Sequence, residues 1–163
     1  MSERAPAPGG LALVEDLVNT LSVETGEDRL AARFGLSGPA LAEAAELREA
    51  LRGALQAHAG HPMPAEARET LNRLLAGAPL TLAVAADGSA ALAPPPGDAL
   101  LPRIAVAVAD AVAAGTWSRL KACADADCRW AYYDRSPGGR GRWCTMAVCG
   151  SRAKMRTYRR SRA

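Results

Sequence analysis

Aromatic residues are scarce in this sequence and unevenly placed. The 163 residues include one Phe, three Tyr and three Trp, and six of these seven rings lie within residues 117–163. Apolar residues nevertheless make up 49% of the chain, which is enough for a core and argues against intrinsic disorder. A C-terminal part this short buries too little aliphatic surface to fold alone, so we expect it to need a metal and a few large rings.

Long hydrophobic runs are also missing. No run approaches the roughly eighteen consecutive apolar residues that indicate a transmembrane helix. The N-terminal stretch MSERAPAPGG has no apolar segment of the kind found in a secretory signal. Both absences predict a cytoplasmic protein with no membrane partner.

The patterns typical of enzymes are absent as well. We find no nucleophile–base pair, no phosphate-cradling glycine loop, no C-x-x-C redox pair and none of the zinc deaminase signatures. The two histidines, His58 and His61, stand between helices without a cysteine or carboxylate at ligand spacing, so we expect both to be surface residues of a turn. The sequence therefore does not predict an enzyme.

What the sequence does contain is a compact group of cysteines with the spacing C-x4-C-x15-C-x4-C. Its members are Cys123, Cys128, Cys144 and Cys149. Two close pairs can supply four thiolates to one tetrahedral Zn²⁺ at little loop-closure cost. Two disulfides are the alternative, and they would need an oxidising compartment. We predict one structural Zn²⁺, because four protein ligands leave no open position for chemistry.

Charge divides the chain at the same place. Residues 1–116 carry 8 Lys or Arg against 14 Asp or Glu, a net charge of −6, and residues 117–163 carry 12 against 3, a net charge of +9. Such asymmetry predicts a basic end that binds polyanions. The candidate nucleic-acid contacts are Arg135, Arg140, Arg142, Arg152, Lys154, Arg156, Arg159 and Arg160. Guanidinium groups suit phosphate, so we predict DNA as the partner; RNA stays open, as does a merely solvated basic tail.

The hydrophobic period predicts a mainly helical α+β fold. We expect helices over 11–22, 27–34, 37–60, 64–77 and 98–115, and a β-hairpin over 80–93 around Asp87-Gly88. The helix over 98–115 is apolar nearly all round and should be central in the core. We divide the chain into an N-terminal helical domain, residues 1–116, and a C-terminal zinc module, residues 117–163.

Within the zinc module, strands over 117–122 and 129–134 should flank the first cysteine pair, and a basic helix should follow Cys149. A knuckle, a hairpin and a helix that supplies the last ligand resemble a treble-clef or ribbon-like zinc fold. We expect the rings to pack around the metal, the alternative being base stacking by Trp130 or Tyr132. On the helix, a packing stripe is predicted opposite the arginines, formed by Val148, Ser151, Met155 and Tyr158.

Three short stretches of this module carry a family resemblance. They are Tyr133-Asp134-Arg135-Ser136, Arg142-Trp143-Cys144 and Met146-Ala147-Val148-Cys149-Gly150-Ser151-Arg152. They resemble the CGNR zinc finger, in which Asp-Arg-Ser, then Trp-Cys, then Met-x-x-Cys-Gly-Asn-Arg open a basic helix. The departure is Ser151, where the family has Asn; a serine still offers one hydroxyl to brace a turn.

The N-terminal region resembles the domain that accompanies this finger, called ABATE, through Leu11-Ala-Leu13 and Asp16-Leu-Val-Asn19-Thr20. The resemblance implies a stress-linked bacterial transcription regulator with a structural zinc. Asn19 is expected to serve as a hydrogen-bonding residue and not as a ligand-binding one. A second function class stays open, in which the helical part senses a small-molecule effector or forms a homodimer and the zinc end holds a protein partner.

Overall fold

The computed structural model describes residues 5–97 and 99–162 and confirms a mainly helical α+β fold. The helices of the N-terminal part are α1 (Leu11–Val18), α2 (Leu30–Phe34), α3 (Gly38–His58), α4 (Ala65–Ala76) and α5 (Leu100–Ala113). A hairpin of β1 (Thr81–Val84) and β2 (Ala90–Ala93) separates α4 from α5. The expected start of α5 at position 98 lies outside the described residues.

The C-terminal part begins with a 3-10 turn at Trp117–Arg119 and continues into an antiparallel pair of short strands. These are β3 (Leu120–Ala122) and β4 (Ala131–Tyr133). A π-helical turn, Met146–Gly150, then leads directly into α6 (Ser151–Arg160). No described helix combines the length and the apolar character that crossing a bilayer requires.

The first two helices are shorter than the hydrophobic period predicts, because polar side chains bind the backbone at their ends. The Thr20 hydroxyl donates to the carbonyl of Leu17 at 2.7 Å, and Leu21 then pairs with Asp28 in an isolated β-bridge. The Asp28 carboxylate accepts the N–H of Leu30 at 2.9 Å, which starts α2 there. Local side-chain bonds of this kind compete with helix continuation.

The main core is aliphatic and lies between α1, α3 and α5. Leu17, Leu51, Leu55 and Ile104 are fully buried in it. The helix expected to be central, α5, contributes Ile104, Ala107 and Ala111 to this core, but it is not enclosed by it, because Val112 is 58% exposed on its outer face.

The β3–β4 hairpin belongs to both parts of the molecule. Successive strand side chains point to opposite faces, so the hairpin has two distinct surfaces. The face toward the helices carries Leu120, Ala122, Ala131 and Tyr133, all members of the main core. The other face carries Lys121 and Tyr132, and Tyr132 packs with the cysteines in a second cluster. The division at 116–117 stays a prediction, and a shared core spans it.

Asn19, just after α1, binds the backbone of β4 in the manner of a neighbouring strand. Its Nδ2 donates to the carbonyl of Ala131 at 3.0 Å, and its Oδ1 accepts the N–H of the same residue at 2.7 Å. The hydrogen-bonding role expected for Asn19 is therefore confirmed.

A buried arginine makes a second link between the two parts. Arg52, on α3, is 3% exposed. One of its terminal nitrogens donates to the carbonyl of Val18 at 2.8 Å and the other to the carbonyl of Arg129 at 3.0 Å, while Nε pairs with Glu49 at 3.0 Å. It thus satisfies a carbonyl at the C-terminal end of α1 and one beside the first cysteine pair.

His58 makes a third link, so its expected place in a surface turn was wrong. Its Nδ1 lies 2.7 Å from the carbonyl of Leu120, and its ring meets Trp117 edge-on at 5.0 Å between centroids. Burial lowers the pKa of His58, an effect that outweighs the opposing hydrogen bond to Leu120. The structure therefore favours a neutral ring with Nδ1–H donating to the carbonyl.

We expect Asn19→Ala to destabilise the protein by about 1–3 kcal/mol, because it leaves the N–H and the carbonyl of Ala131 without their partner. Asn72→Ala, at the exposed asparagine of α4, is the matched control and should change stability little. Urea unfolding of the zinc-loaded proteins would measure both. Equal stability of the two variants would contradict the strand-like role of Asn19.

His58 should make stability depend on pH. Its pKa is lower in the folded protein than the ordinary 6.5, so its contribution is complete above pH 6.5 and is lost as the pH falls toward the folded-state pKa. His58→Gln, whose amide can still donate to Leu120 but does not titrate, should lose less stability than the wild type between pH 7.5 and pH 5.5. Parallel stability curves for the two proteins would contradict this assignment. The pH limits are chosen about one unit either side of the ordinary value.

Candidate metal centre

The four predicted cysteines converge on one point. Their Sγ atoms all lie within 4.8 Å of one another, and the pairs Cys128–Cys144 and Cys144–Cys149 are each 3.6 Å apart. Zn–S bonds of about 2.3 Å in a tetrahedron place sulfurs about 3.8 Å apart, so the group fits one Zn²⁺. The disulfide alternative does not fit, because bonded sulfurs lie about 2.05 Å apart.

The first cysteine pair sits in a tight knuckle between β3 and β4. Cys123 follows β3 directly, and its N–H donates to the carbonyl of Trp130 at 2.9 Å. The chain reverses because the carbonyl of Asp125 accepts the N–H groups of both Cys128 and Arg129 at 3.0 Å. Arg129 has a φ of +48°, a left-handed conformation that costs a non-glycine residue about 1 kcal/mol. Its carbonyl is the one that Arg52 holds.

The second pair is carried by an extended segment and the π-helical turn. The extended segment before Cys144 is not part of a strand, although the carbonyl of Arg142 accepts the N–H of Ala124 at 2.8 Å and ties this segment to the knuckle. The turn places Cys149 immediately before α6. The hydroxyl of Ser151 donates to the carbonyl of Met146 at 3.2 Å, so the serine braces this turn.

The protonation of the metal-free group shows why it needs a cation. Hydrogen bonds from the Cys128 and Cys144 thiols lower the pKa of Cys123 to about 2. Burial raises the pKa of Cys149 to about 12, and hydrogen bonding with the Cys123 and Cys128 sulfurs raises the pKa of Cys144. The pKa shifts thus favour ionisation of Cys123 and oppose ionisation of Cys128, Cys144 and Cys149. A divalent ion would release the remaining protons and complete a closed tetrathiolate site.

A buried ion pair shapes the loop between the two cysteine pairs. Lys121 and Asp134 are both nearly inaccessible, and Nζ lies 3.0 Å from Oδ2. Lys121 also donates to the carbonyls of Gly139 and Gly141, which folds residues 136–141 back onto the hairpin. Burial acts to raise the pKa of Asp134, but hydrogen bonds from Ser136, Lys121 and the N–H of Gly141 outweigh it and hold the pKa well below its usual range.

The basic helix α6 is held by ion pairs and not by apolar packing. None of its residues is buried, and the expected packing stripe is exposed, with Val148 at 49%, Met155 at 52% and Tyr158 at 50%. Arg156 pairs with the fully buried Asp125 of the knuckle at 2.9 Å. The stripe prediction was wrong because the finger is too small to present a surface that would cover it.

Three of the eight predicted nucleic-acid contacts are engaged within the chain. Arg156 pairs with Asp125, and Arg152 pairs with Glu24 of the N-terminal part at 2.9 Å. Arg135 donates to the carbonyls of Ala5 and Pro6 at 2.9 and 2.6 Å. The other five make no ion pair within residues 5–97 and 99–162; they are Arg140, Arg142, Lys154, Arg159 and Arg160.

Sequence reasoning missed the residues that support the metal ligands. Asp125 and Lys121 were counted only as charges, yet both are buried and organise the loops that carry the cysteines. Arg52, which binds the carbonyls of Val18 and Arg129, carried no signal of its own in the sequence. The spacing of Asp125 within the first cysteine pair is the only signal that could have indicated its role, since Asp readily bonds its own backbone in turns.

The fold and the site define a zinc-finger protein in which a helical domain packs against a closed four-cysteine module. Family models match both parts: ABATE, described as "Putative stress-induced transcription regulator", matches residues 11–115, and the CGNR zinc finger matches residues 119–162. The chain therefore belongs to the ABATE family and carries a CGNR zinc finger. A comparison with curated proteins returned no match.

Removing one ligand should abolish stable zinc binding. Cys144→Ser should lower the zinc content after gel filtration from about one per chain to near zero, because three thiolates no longer close the site. Helical circular dichroism should largely persist, since the aliphatic core contains no cysteine. Thr145→Ser, at the neighbouring position, is the control and should keep its zinc. A variant at Cys144 that retains full zinc content would show that the ligand set is wrong.

Proposed function

We propose that this protein is a transcription regulator that contacts DNA through α6 and the loop of residues 136–142. Its membership of the family described as "Putative stress-induced transcription regulator" supports a regulatory role. The observation that carries the DNA contact is the composition of α6. Its ten residues include five cations and no acid, and the helix projects from a metal-braced module.

The free cations have a favourable setting for phosphate. Lys154, Arg159 and Arg160 are exposed on α6, and Arg140 and Arg142 are exposed on the adjoining loop. Arginine and lysine on a fixed frame bind phosphate oxygens with little loss of conformational freedom beyond their own side chains. Because α6 follows the last metal ligand without a linker, zinc binding sets its direction.

The two ion pairs of α6 differ in how readily a phosphate of a nucleic acid could replace the carboxylate. Asp125 is fully buried, so its pair with Arg156 holds the helix on the knuckle. Arg152 and Glu24 are 41% and 53% exposed, so this pair contributes little to stability. A phosphate could replace the Glu24 carboxylate beside Arg152. We therefore assign Arg156 to helix positioning and keep Arg152 among the proposed contacts.

The role proposed is binding and not catalysis. Four cysteines complete a tetrahedral coordination sphere, which gives the ion a structural part. RNA is the nearest rival as a partner, because phosphate contacts alone do not distinguish the two nucleic acids.

A second candidate function, effector sensing, is favoured by one cleft. A space of about 650 Å³ lies between α1 and β4, where the helical part meets the finger. Charged groups of both signs line it, including Glu15, Asp16, Arg29 and Arg33. A ligand there would touch both parts of the chain, and stabilisation of the zinc-loaded protein by metabolites in a thermal screen would support this role.

DNA binding by this surface should depend steeply on salt. If the five unpaired cations each neutralise one phosphate, the affinity for duplex DNA should fall with a log–log slope of about −4.5. Arg159→Gln with Arg160→Gln should weaken binding and make the slope shallower by about two. The matched control is Arg68→Gln with Arg103→Gln, which removes two exposed arginines from the N-terminal helices.

Fluorescence polarisation of the zinc-loaded proteins at several salt concentrations would measure these slopes for duplex DNA and for RNA. A flat salt response would exclude the phosphate mechanism. Equal weakening by the two double variants would move the contact away from α6. Stronger binding to RNA than to DNA would make RNA the partner.

A further inference from the structure

A groove with an aromatic ring at each end runs along one face of α6. It encloses about 440 Å³, and its lining includes Trp143, Met146, Gly150, Ala153, Lys154 and Tyr158. Trp143 lies at the N-terminal end, where a Cβ on Gly150 would be 3.3 Å from its ring. Tyr158 lies eight residues further along the helix, which is about 12 Å at 1.5 Å per residue. Gly150 is buried beneath Met146 and Trp143, whose atoms a Cβ there would meet at 2.9 and 3.3 Å, and the small residue Ala153 lines the groove further along.

The apolar surface of this groove is exposed. Met146 is 56% and Tyr158 is 50% accessible, and the same helix leaves Met155 uncovered at 52%. Large exposed apolar side chains grouped in one place mark binding surfaces in soluble proteins. The residues lining the groove thus form a surface that a ligand with flat apolar faces can cover.

The charges around the groove indicate what that ligand is. The Arg142 guanidinium lies over the Trp143 ring, 5.5 Å from its centre, and the Arg162 guanidinium lies over the Tyr158 ring, 4.7 Å from its centre. Lys154 lines the space between them, and none of the described carboxylates does. Aromatic rings that each carry a cation on one face match a ligand that alternates phosphates with flat bases, which would stack on the opposite face.

We propose that this groove binds unpaired bases of single-stranded nucleic acid, which stack on Trp143 and Tyr158 while neighbouring phosphates meet Arg142, Lys154 and Arg162. The inference rests on the nucleic-acid binding proposed above and specifies the state of the strand at this surface. In a duplex, the faces of the bases are covered by their neighbours and cannot reach the rings. A strand that is locally open, or single-stranded throughout, presents them.

The rings singled out from the sequence for stacking do not line the groove on α6. Tyr132 is 2% exposed and packs among the cysteines. Trp130 and Trp143 are both half-buried against that cluster, and of these two it is Trp143 that shares the groove with Tyr158. Tyr158, expected to pack against the finger, is the ring that is left uncovered. The stacking site therefore lies on α6 and not on the hairpin.

The test compares zinc-loaded wild type with Tyr158→Ala and Tyr158→Phe on three probes of equal length. These are an oligothymidylate of about twelve nucleotides, the same backbone with abasic sites, and a duplex. The wild type should bind oligothymidylate about five- to a hundredfold more tightly than the abasic strand. Tyr158→Ala should remove most of that difference, while Tyr158→Phe, which keeps the ring, should preserve it. Zinc content of about one per chain should be the same in all three proteins.

A second readout uses the tryptophan at the other end of the groove. Stacked bases should quench the fluorescence of Trp143, and Trp143→Phe should lose that quenching while it keeps an aromatic platform and its zinc. Quenching that persists in this variant would assign the signal to Trp117 or Trp130 and would count against the groove.

The outcomes separate this inference from the broader one. Equal binding of the oligothymidylate and abasic strands would overturn the stacking site and leave the phosphate contacts of α6 intact. If Tyr158→Ala lost affinity equally for the oligothymidylate and for the abasic strand, the result would show a structural role for Tyr158 and would also overturn the site. Failure of every probe to bind would overturn the nucleic-acid function itself.

Discussion

Four sulfur atoms within 4.8 Å of one another are the constraint on which the C-terminal part of this molecule depends. Four thiolates at this distance would repel one another, and burial would make each charge more costly, so most of the group stays protonated without a cation. A divalent cation would release those protons and join the four sulfurs into one cross-link of the finger. The elements around it are otherwise short: two strands of three residues, one π-helical turn and a helix without a buried side chain. None of these elements would persist alone, so the orientation of the basic helix is a consequence of metal binding.

The finger does not stand apart from the helical domain, because the β3–β4 hairpin faces both. One face completes the aliphatic core, and the other lies against the cysteines and the buried Lys121–Asp134 pair. The metal site therefore lies next to the hairpin that packs on α1 and α3. A ligand in the cleft beside β4 would in turn lie next to the finger. This continuity would give the proposed effector sensing and the proposed DNA contact a common structural element.

The sequence predicted those features that depend on spacing and period. The metal ligands followed from two cysteine pairs, and the β1–β2 hairpin followed from alternation around Asp87-Gly88, where Gly88 has a φ of +82°. The end of α1 was not predictable in this way because it depends on the local hydrogen bond of Thr20, which the spacing of apolar residues does not show. The position of His58 was not predictable because it depends on Leu120, 62 residues further along the chain. Arg52 illustrates the difficulty: its 3% exposure depends on carbonyls 34 and 77 residues away. The exposed stripe on α6 was mispredicted because helical period shows which residues share a face but not whether another element covers it.

Asn19, Arg52 and His58 hold the hairpin through its main-chain atoms: the N–H and carbonyl of Ala131, the carbonyl of Arg129 and the carbonyl of Leu120. At these three points the helical domain contacts main-chain atoms, so the contacts depend on the course of the hairpin backbone and not on the identity of its side chains. The docking platform is in this sense generic. A finger with altered surface residues could occupy the same platform, provided that its strands follow the same course and keep side chains that fit the shared core.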